Sequence, residues 1–190
     1  FPMGKGADTR ERILDRAMAM ASRDGLGELS IGKLAAALPM SKAGLFAHFG
    51  SKEALEGAVL DYAAERQRRL APAPTADGRE ALRRLFVACL DWIDDPALAG
   101  GCPIIKACFE FAGRADPTGK KLRKMQRSFQ RRLADLFRAA TPDGTDVEQC
   151  AFEFRAITLA YQHARYAVGD PRARDRALRS FQALMARGFA

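Results

Sequence analysis

Between Ser30 and Lys52 the chain gathers side chains that donate hydrogen bonds, at spacings that put them on two short helices. Their chemistry is that of binding acceptors: phosphate oxygens, which fix register, and base edges, which carry sequence information. Lys42 is placed to donate to guanine acceptors, and Ala43 to offer its methyl group to a thymine. Gly44 leaves room for close approach of backbone to a duplex. Ser41 can cap a helix and also donate to a phosphate, while Ser30 and Lys33 are further phosphate candidates. Groups for catalysis are sparse. The chain has only two histidines, His48 and His163, and lacks metal-ligand spacing, a Gly-rich phosphate loop and a GxSxG motif. No enzyme activity, cofactor or metal is therefore expected.

The elements that must position these residues are legible from caps and stops. Ser30 is a good N-cap, and Ile31, Leu34, Ala35 and Leu38 follow at helical spacing. Pro39 stops that helix because its nitrogen carries no hydrogen and its ring clashes with the preceding turn. Ser41 caps a second helix, Lys42 to Phe49, which Gly50 ends, and Ser51 opens the next. A helix, a sharp turn and a second short helix make a helix-turn-helix, whose second helix can enter the major groove of DNA. Leu45 and Phe49 are expected to be core, tying that helix to the first one.

The stretch SKAGLFAHFGSKEAL resembles the recognition helix and following helix of the TetR family of transcriptional repressors, and TRERILDRAMAMASRDGLGELSIGKLA is similar to that family's first two helices. The resemblance covers about residues 8–65. It implies backbone contacts from Phe46, His48 and Lys52, a body that commonly holds a small-molecule pocket, and a dimer interface. Two departures stand out. Tyrosine is frequent where this chain has Phe46, and glycine is more usual in the turn than Pro39.

Composition bounds the alternatives. Hydrophobic residues make up 48% and charged residues 28%, a globular balance. No run of 18 apolar residues suggests a membrane span, and the first ten residues lack the apolar region of a secretory signal, so a cytoplasmic location is expected. Cys89, Cys102, Cys108 and Cys150 form no CxxC pair and read as reduced thiols. The formal charge of +8 is not the argument for nucleic acid. Residues 1–71 carry only +2, and the other 119 carry +6, with nine bases against Asp116 and Asp135 between Arg114 and Arg138. That basic stretch reads as a solvated face.

No sustained period-2 pattern appears, so an all-α fold of about nine helices is expected: a helix-turn-helix domain over 7–52, linked through a helix over 51–70 to a ligand-binding and dimerisation domain over 77–189. Ala71-Pro72-Ala73-Pro74 marks the boundary. The further helices are placed from about Asp77 past Ile93, from Pro103 to about Ala112, from Pro117 to about Ala139, from Asp146 to Val168 and from Pro171 to Phe189. Aromatic and soft side chains, namely Phe86, Cys89, Trp92, Cys102, Ile105, Phe109, Met125, Phe129, Phe152 and Tyr161, are the candidate lining of an apolar ligand cavity. Arg155, Thr158, Gln162 and His163 are candidates for its few polar groups. Cys102 sits at a helix N-terminus, where a thiol is acidified, so a thiol-sensing role is a second possibility. Phe154, Ala160, Ala164, Leu178, Phe181, Leu184 and Met185 offer apolar faces on the last two helices for a two-fold, four-helix dimer contact. The expected function is an effector-responsive repressor, with a homodimer on a palindromic operator in double-stranded DNA and an unknown small-molecule effector. An activator of the same fold is the alternative, and a protein–protein adaptor is weaker still, since Ser41-Lys42-Ala43-Gly44 lacks aromatic anchors.

Overall fold

The computed structural model describes residues 5–70 and 77–188; the expected boundary at 71–74 and Phe189 lie outside them. Among the described residues the secondary structure is entirely helical. The order is α1 (Lys5–Asp24), α2 (Ile31–Ala36), α3 (Lys42–Phe49), α4 (Lys52–Arg69), α5 (Gly78–Ile93), α6 (Pro103–Glu110), α7 (Pro117–Ala140), α8 (Val147–Gln162), a π-helical turn (His163–Val168) and α9 (Ala173–Gly188). The chain divides into two compact units. Unit 1 comprises residues up to Arg66 together with Asp95–Arg123; unit 2 comprises Gln67–Asp94 and residues from Lys124 onward.

Unit 1 is built around α1, whose Ile13, Ala17, Met18 and Ala21 recur at helical spacing and are almost fully buried. Leu34, Leu45, Leu55 and Leu60 complete its core from α2, α3 and α4. Each such leucine contributes about 1.5–3 kcal/mol relative to an exposed one. Helix α6, distant in sequence, also belongs to this unit and is clamped to the C-terminal end of α1. Ser22, fully buried, donates from Oγ to Gly101 O at 2.7 Å and accepts from Gly100 N–H at 3.0 Å. Lys106 Nζ donates to Arg23 O at 2.7 Å and Ser22 O at 3.2 Å, satisfying carbonyls that the end of a helix leaves open. Glu110 Oε2 accepts from Gly27 N–H at 2.9 Å. The approach at Gly100 is close enough that a Cβ there would fall 2.0 Å from Ser22 O.

Unit 2 packs α5, α8 and α9 around stacked aromatic rings. Leu82, Phe86, Cys89, Leu90 and Ile93 form the buried stripe of α5. The Phe86 ring lies parallel to Phe181 at 4.2 Å, and Phe154 meets both edge-on at 5.3 and 5.8 Å. Phe137 of α7 adds a further edge contact to Phe154 at 6.4 Å. At one end of the unit Asp94 accepts from Tyr161 Oη at 2.5 Å and from Arg174 at 2.9 Å, while Arg174 also reaches Asp91 at 2.6 Å. Burial, and then the Asp94 carboxylate, push the Tyr161 phenol well above its ordinary range.

Candidate nucleic-acid interface

The helix expected to read DNA has the ends its sequence predicts. Ser41, in extended backbone, accepts from Gly44 N–H at 3.0 Å, and Ser30 caps α2 through Lys33 N–H at 3.1 Å. The turn between the helices is tighter than a stop alone requires. Met40 N–H donates to Leu38 O at 2.7 Å across Pro39, a three-residue turn that the fixed φ of proline suits. At the other end Gly50 has φ +72°, the left-handed region that favours glycine, and its N–H returns to Phe46 O at 2.7 Å.

These caps orient α3 so that Leu45 and Phe49 enter the core, as expected, and Lys42, Ala43, Phe46 and Ala47 face outward. Phe46 is 55% exposed, an apolar ring without the hydroxyl that would reach a phosphate. An added Cβ on Gly44 would meet Ser41 Oγ at 3.3 Å, so the missing side chain also clears space for the cap. His48 is half-buried. Its carbonyl accepts from Arg10 Nη1 at 3.0 Å, and the same guanidinium lies 4.6 Å from the centre of the Phe49 ring. Arg10 and Ala47 also serve this helix. Ala47 follows Ala43 by one helical turn, a spacing that reveals it, whereas the Arg10 clamp spans 38 residues and leaves no local signal.

The two outlying lysines are already engaged within the chain. Lys33 Nζ bonds Glu28 at 2.7 Å, which holds that carboxyl below its usual range, and Lys52 Nζ bonds Gly27 O at 2.6 Å. Both remain about half exposed. Behind the motif, Asp15 accepts from Tyr62 Oη and Arg66, each at 2.7 Å. Burial first, then the Asp15 carboxylate, push the Tyr62 phenol up to about 12.

The residues expected to line a cavity in the body differ widely in burial. Cys89, Trp92, Ile105 and Tyr161 are buried, Met125 and Phe129 half-buried. Trp92 Nε1–H has no acceptor among the described residues. Phe109 and Phe152 are instead 71% and 63% exposed. Phe86 is spent in the aromatic core. Cys102 precedes Pro103 at the start of α6 as read, but its thiol is buried, without the access that a sensing thiol needs. The residues expected at the dimer contact divide by burial. Phe154, Phe181, Leu184 and Met185 are buried in their own chain, because they fill the space between α5, α8 and α9. Ala160 is exposed, and Ala164 and Leu178 are half-buried. The outward stripe of α8 runs instead through Phe152, Ala156, Leu159 and Ala160, at helical spacing.

A family model described as "Bacterial regulatory proteins, tetR family" matches residues 13–59, and one described as "Tetracyclin repressor-like, C-terminal domain" matches residues 78–181. The chain belongs to the TetR family. Among solved structures it is similar to a TetR transcriptional regulator from Chloroflexus aurantiacus, with 22% identity, TM-score 0.82 and coverage of 97% of this chain and 96% of that one. A TetR-family regulator from Streptomyces coelicolor gives 20% identity, TM-score 0.84 and 97% of each chain. AibR, solved in complex with isovaleryl coenzyme A and operator DNA, gives 24% identity and TM-score 0.62 over 80% and 85%. No curated protein matches the sequence. TetR-family proteins are non-enzymatic, DNA-binding transcription factors, and this chain carries their DNA-binding domain. Among the described residues no helix is long and apolar enough to cross a membrane.

Proposed function

We propose that this TetR-family regulator is a cytoplasmic, effector-responsive repressor that binds a palindromic operator as a homodimer. The observation that carries the reading is the outward face of α3. The side chains of Lys42, Ala43, Phe46 and Ala47 are exposed and make no hydrogen bond or ion pair among the described residues, while Ser41, Gly50 and Arg10 fix the helix that bears them. Lys42 reads a base edge, Ala43 and Ala47 meet apolar base surface, and Ser41, His48, Lys33 and Lys52 supply backbone contacts. Lys52 reaches a phosphate by exchanging its bond to Gly27 O.

The homodimer is supported by the exposed apolar stripe of α8, which a second copy would cover about a two-fold axis. Two-fold symmetry then sets the recognition helices in successive major grooves, about 34–36 Å apart. Effector response is supported by AibR, whose structure holds both isovaleryl coenzyme A and operator DNA. An effector acts only through different affinity for two states, and the bonds of Ser22, Lys106 and Glu110 give α6 a rigid grip on α1 through which a shift can pass.

The test is selection of bound duplexes from a random pool, followed by affinity measurements against salt. One palindromic motif should emerge, with Lys42→Ala weakening binding by roughly 10- to 100-fold, the loss of one good base contact. Enrichment of no motif, with binding that depends only on salt, would sink the reading.

A further inference from the structure

Unit 2 contains a guanidinium whose partners are all neutral. Arg155, half-buried on α8, donates from Nη2 to Gln126 Oε1 at 2.8 Å and from Nη1 to Thr158 Oγ1 at 3.5 Å. Its guanidinium carbon lies 5.6 Å from the centre of the Phe129 ring. Among the described residues it has no carboxylate partner. The chain treats other half-buried arginines differently. Arg66 has Asp15 at 2.7 Å and Asp95 at 3.9 Å, and Arg174 has Asp91 at 2.6 Å and Asp94 at 2.9 Å.

The difference has a physical meaning. A guanidinium drawn partly out of water recovers more from an anion than from an amide and a hydroxyl. Two of its five N–H groups are used, and the rest keep the fork geometry that pairs with two oxygens of a carboxylate, phosphate or sulfonate group. Gln126 and Thr158 hold the fork in place before anything binds, so little freedom remains to be lost on binding. Phe129 and, one turn earlier, Met125 give an apolar body something to cover. The local field has the right sign too. Within unit 2, α7 exposes Lys124, Arg127, Arg131 and Arg132 without carboxylate partners among the described residues.

We propose that Arg155 is the residue that selects the effector, and that the effector is an amphipathic organic anion, its charged group on the Arg155 fork and its apolar part beside Phe129. This rests on the effector-responsive reading above. The chain discriminates against uncharged molecules of the same shape.

The experiment titrates the full chain, by fluorescence, with 8-anilinonaphthalene-1-sulfonate and with N-phenyl-1-naphthylamine, the same ring system without the sulfonate. The sulfonate should bind at least about tenfold more tightly, the scale of one charge-assisted contact. In Arg155→Gln that preference should fall about tenfold while the uncharged probe is unaffected, and Arg155→Lys should keep part of it. Thermal melts accompany each titration. If Arg155→Gln fails to fold, the wild-type preference measured at 0.05 and 0.5 M NaCl decides, since a charge-selected site must lose preference with salt. Both probes binding with an unchanged ratio in Arg155→Gln would overturn the proposal and leave effector binding standing. Neither probe binding would overturn both. A weaker dimer in Arg155→Gln with an unchanged probe ratio would also overturn it, assigning Arg155 to a carboxylate of a second copy.

Discussion

Helices α3 and α8 both turn small and aromatic side chains outward, yet they are held in opposite ways. Helix α3 has eight residues, and two buried side chains, two capping residues and one distant arginine fix it. Its exposed face is what the local devices leave over. Helix α8 has sixteen residues, with Val147, Cys150, Ala151, Phe154, Thr158, Tyr161 and Gln162 buried on one side. Its exposed face is a second apolar stripe, beside a core stripe of similar composition. A short helix set by its ends presents one face by elimination, whereas a long helix with two apolar stripes needs tertiary packing to decide which goes inside.

The largest effect should come from the inner stripe. Phe154→Ala should cost about 3–5 kcal/mol of folding stability by thermal melt, through loss of the ring contacts with Phe86, Phe137 and Phe181. Ala160→Arg should do the reverse, leaving the melt of the folded monomer within about 0.5 kcal/mol, as for an ordinary surface change. It should weaken the dimer by at least about 100-fold in sedimentation experiments, by burying an unpaired charge. If Phe154→Ala instead gave a stable monomer, the assignment of the two stripes would be inverted. On α3, Ser41→Ala should cost about 1 kcal/mol and fray the first turn, seen as faster hydrogen exchange of the Gly44 amide. The smallest effect concerns Tyr62. Its folded-state phenol titrates higher than the ordinary 10.0, so its stabilisation is present below that pH and is lost as pH rises towards about 12. Tyr62→Phe should remove that share of the alkaline decline in a pH series of melts and leave the neutral-pH profile parallel.

What was legible in the chain follows the same division. Ser41, Gly50 and Pro117 act within a few residues, and α3 and the start of α7 fall where those residues put them. Leu45 and Phe49 lie in the core, as their spacing in a short motif with few alternatives predicts. The face of α8 was not legible, since Phe154 and Phe152 are equally apolar and two positions apart. The grip of α6 on α1 was not legible either. Lys106 and Glu110 look like ordinary surface charges, and their acceptor and donor lie more than eighty residues away. The carbonyl of Ser22 that demands glycine at position 100 lies far away in sequence and leaves no local signal.

The π-helical turn from His163 to Val168 bears on how this chain should be aligned with its relatives. The hydrogen-bonded ring of such a helix encloses one residue more than that of an α-helix, which makes each turn wider. Counted as regular helix, Val168 lies about 160° around the axis from Phe152. The wider turn changes that angle; Val168 stands 65% exposed, while Tyr166 is pinned by its bond to Ile93 O at 2.8 Å. A relative one residue shorter here could match this chain in every neighbouring column and still show a different set of side chains beyond Gln162. Position in space, rather than column number, is the sound basis for transferring residues across that point.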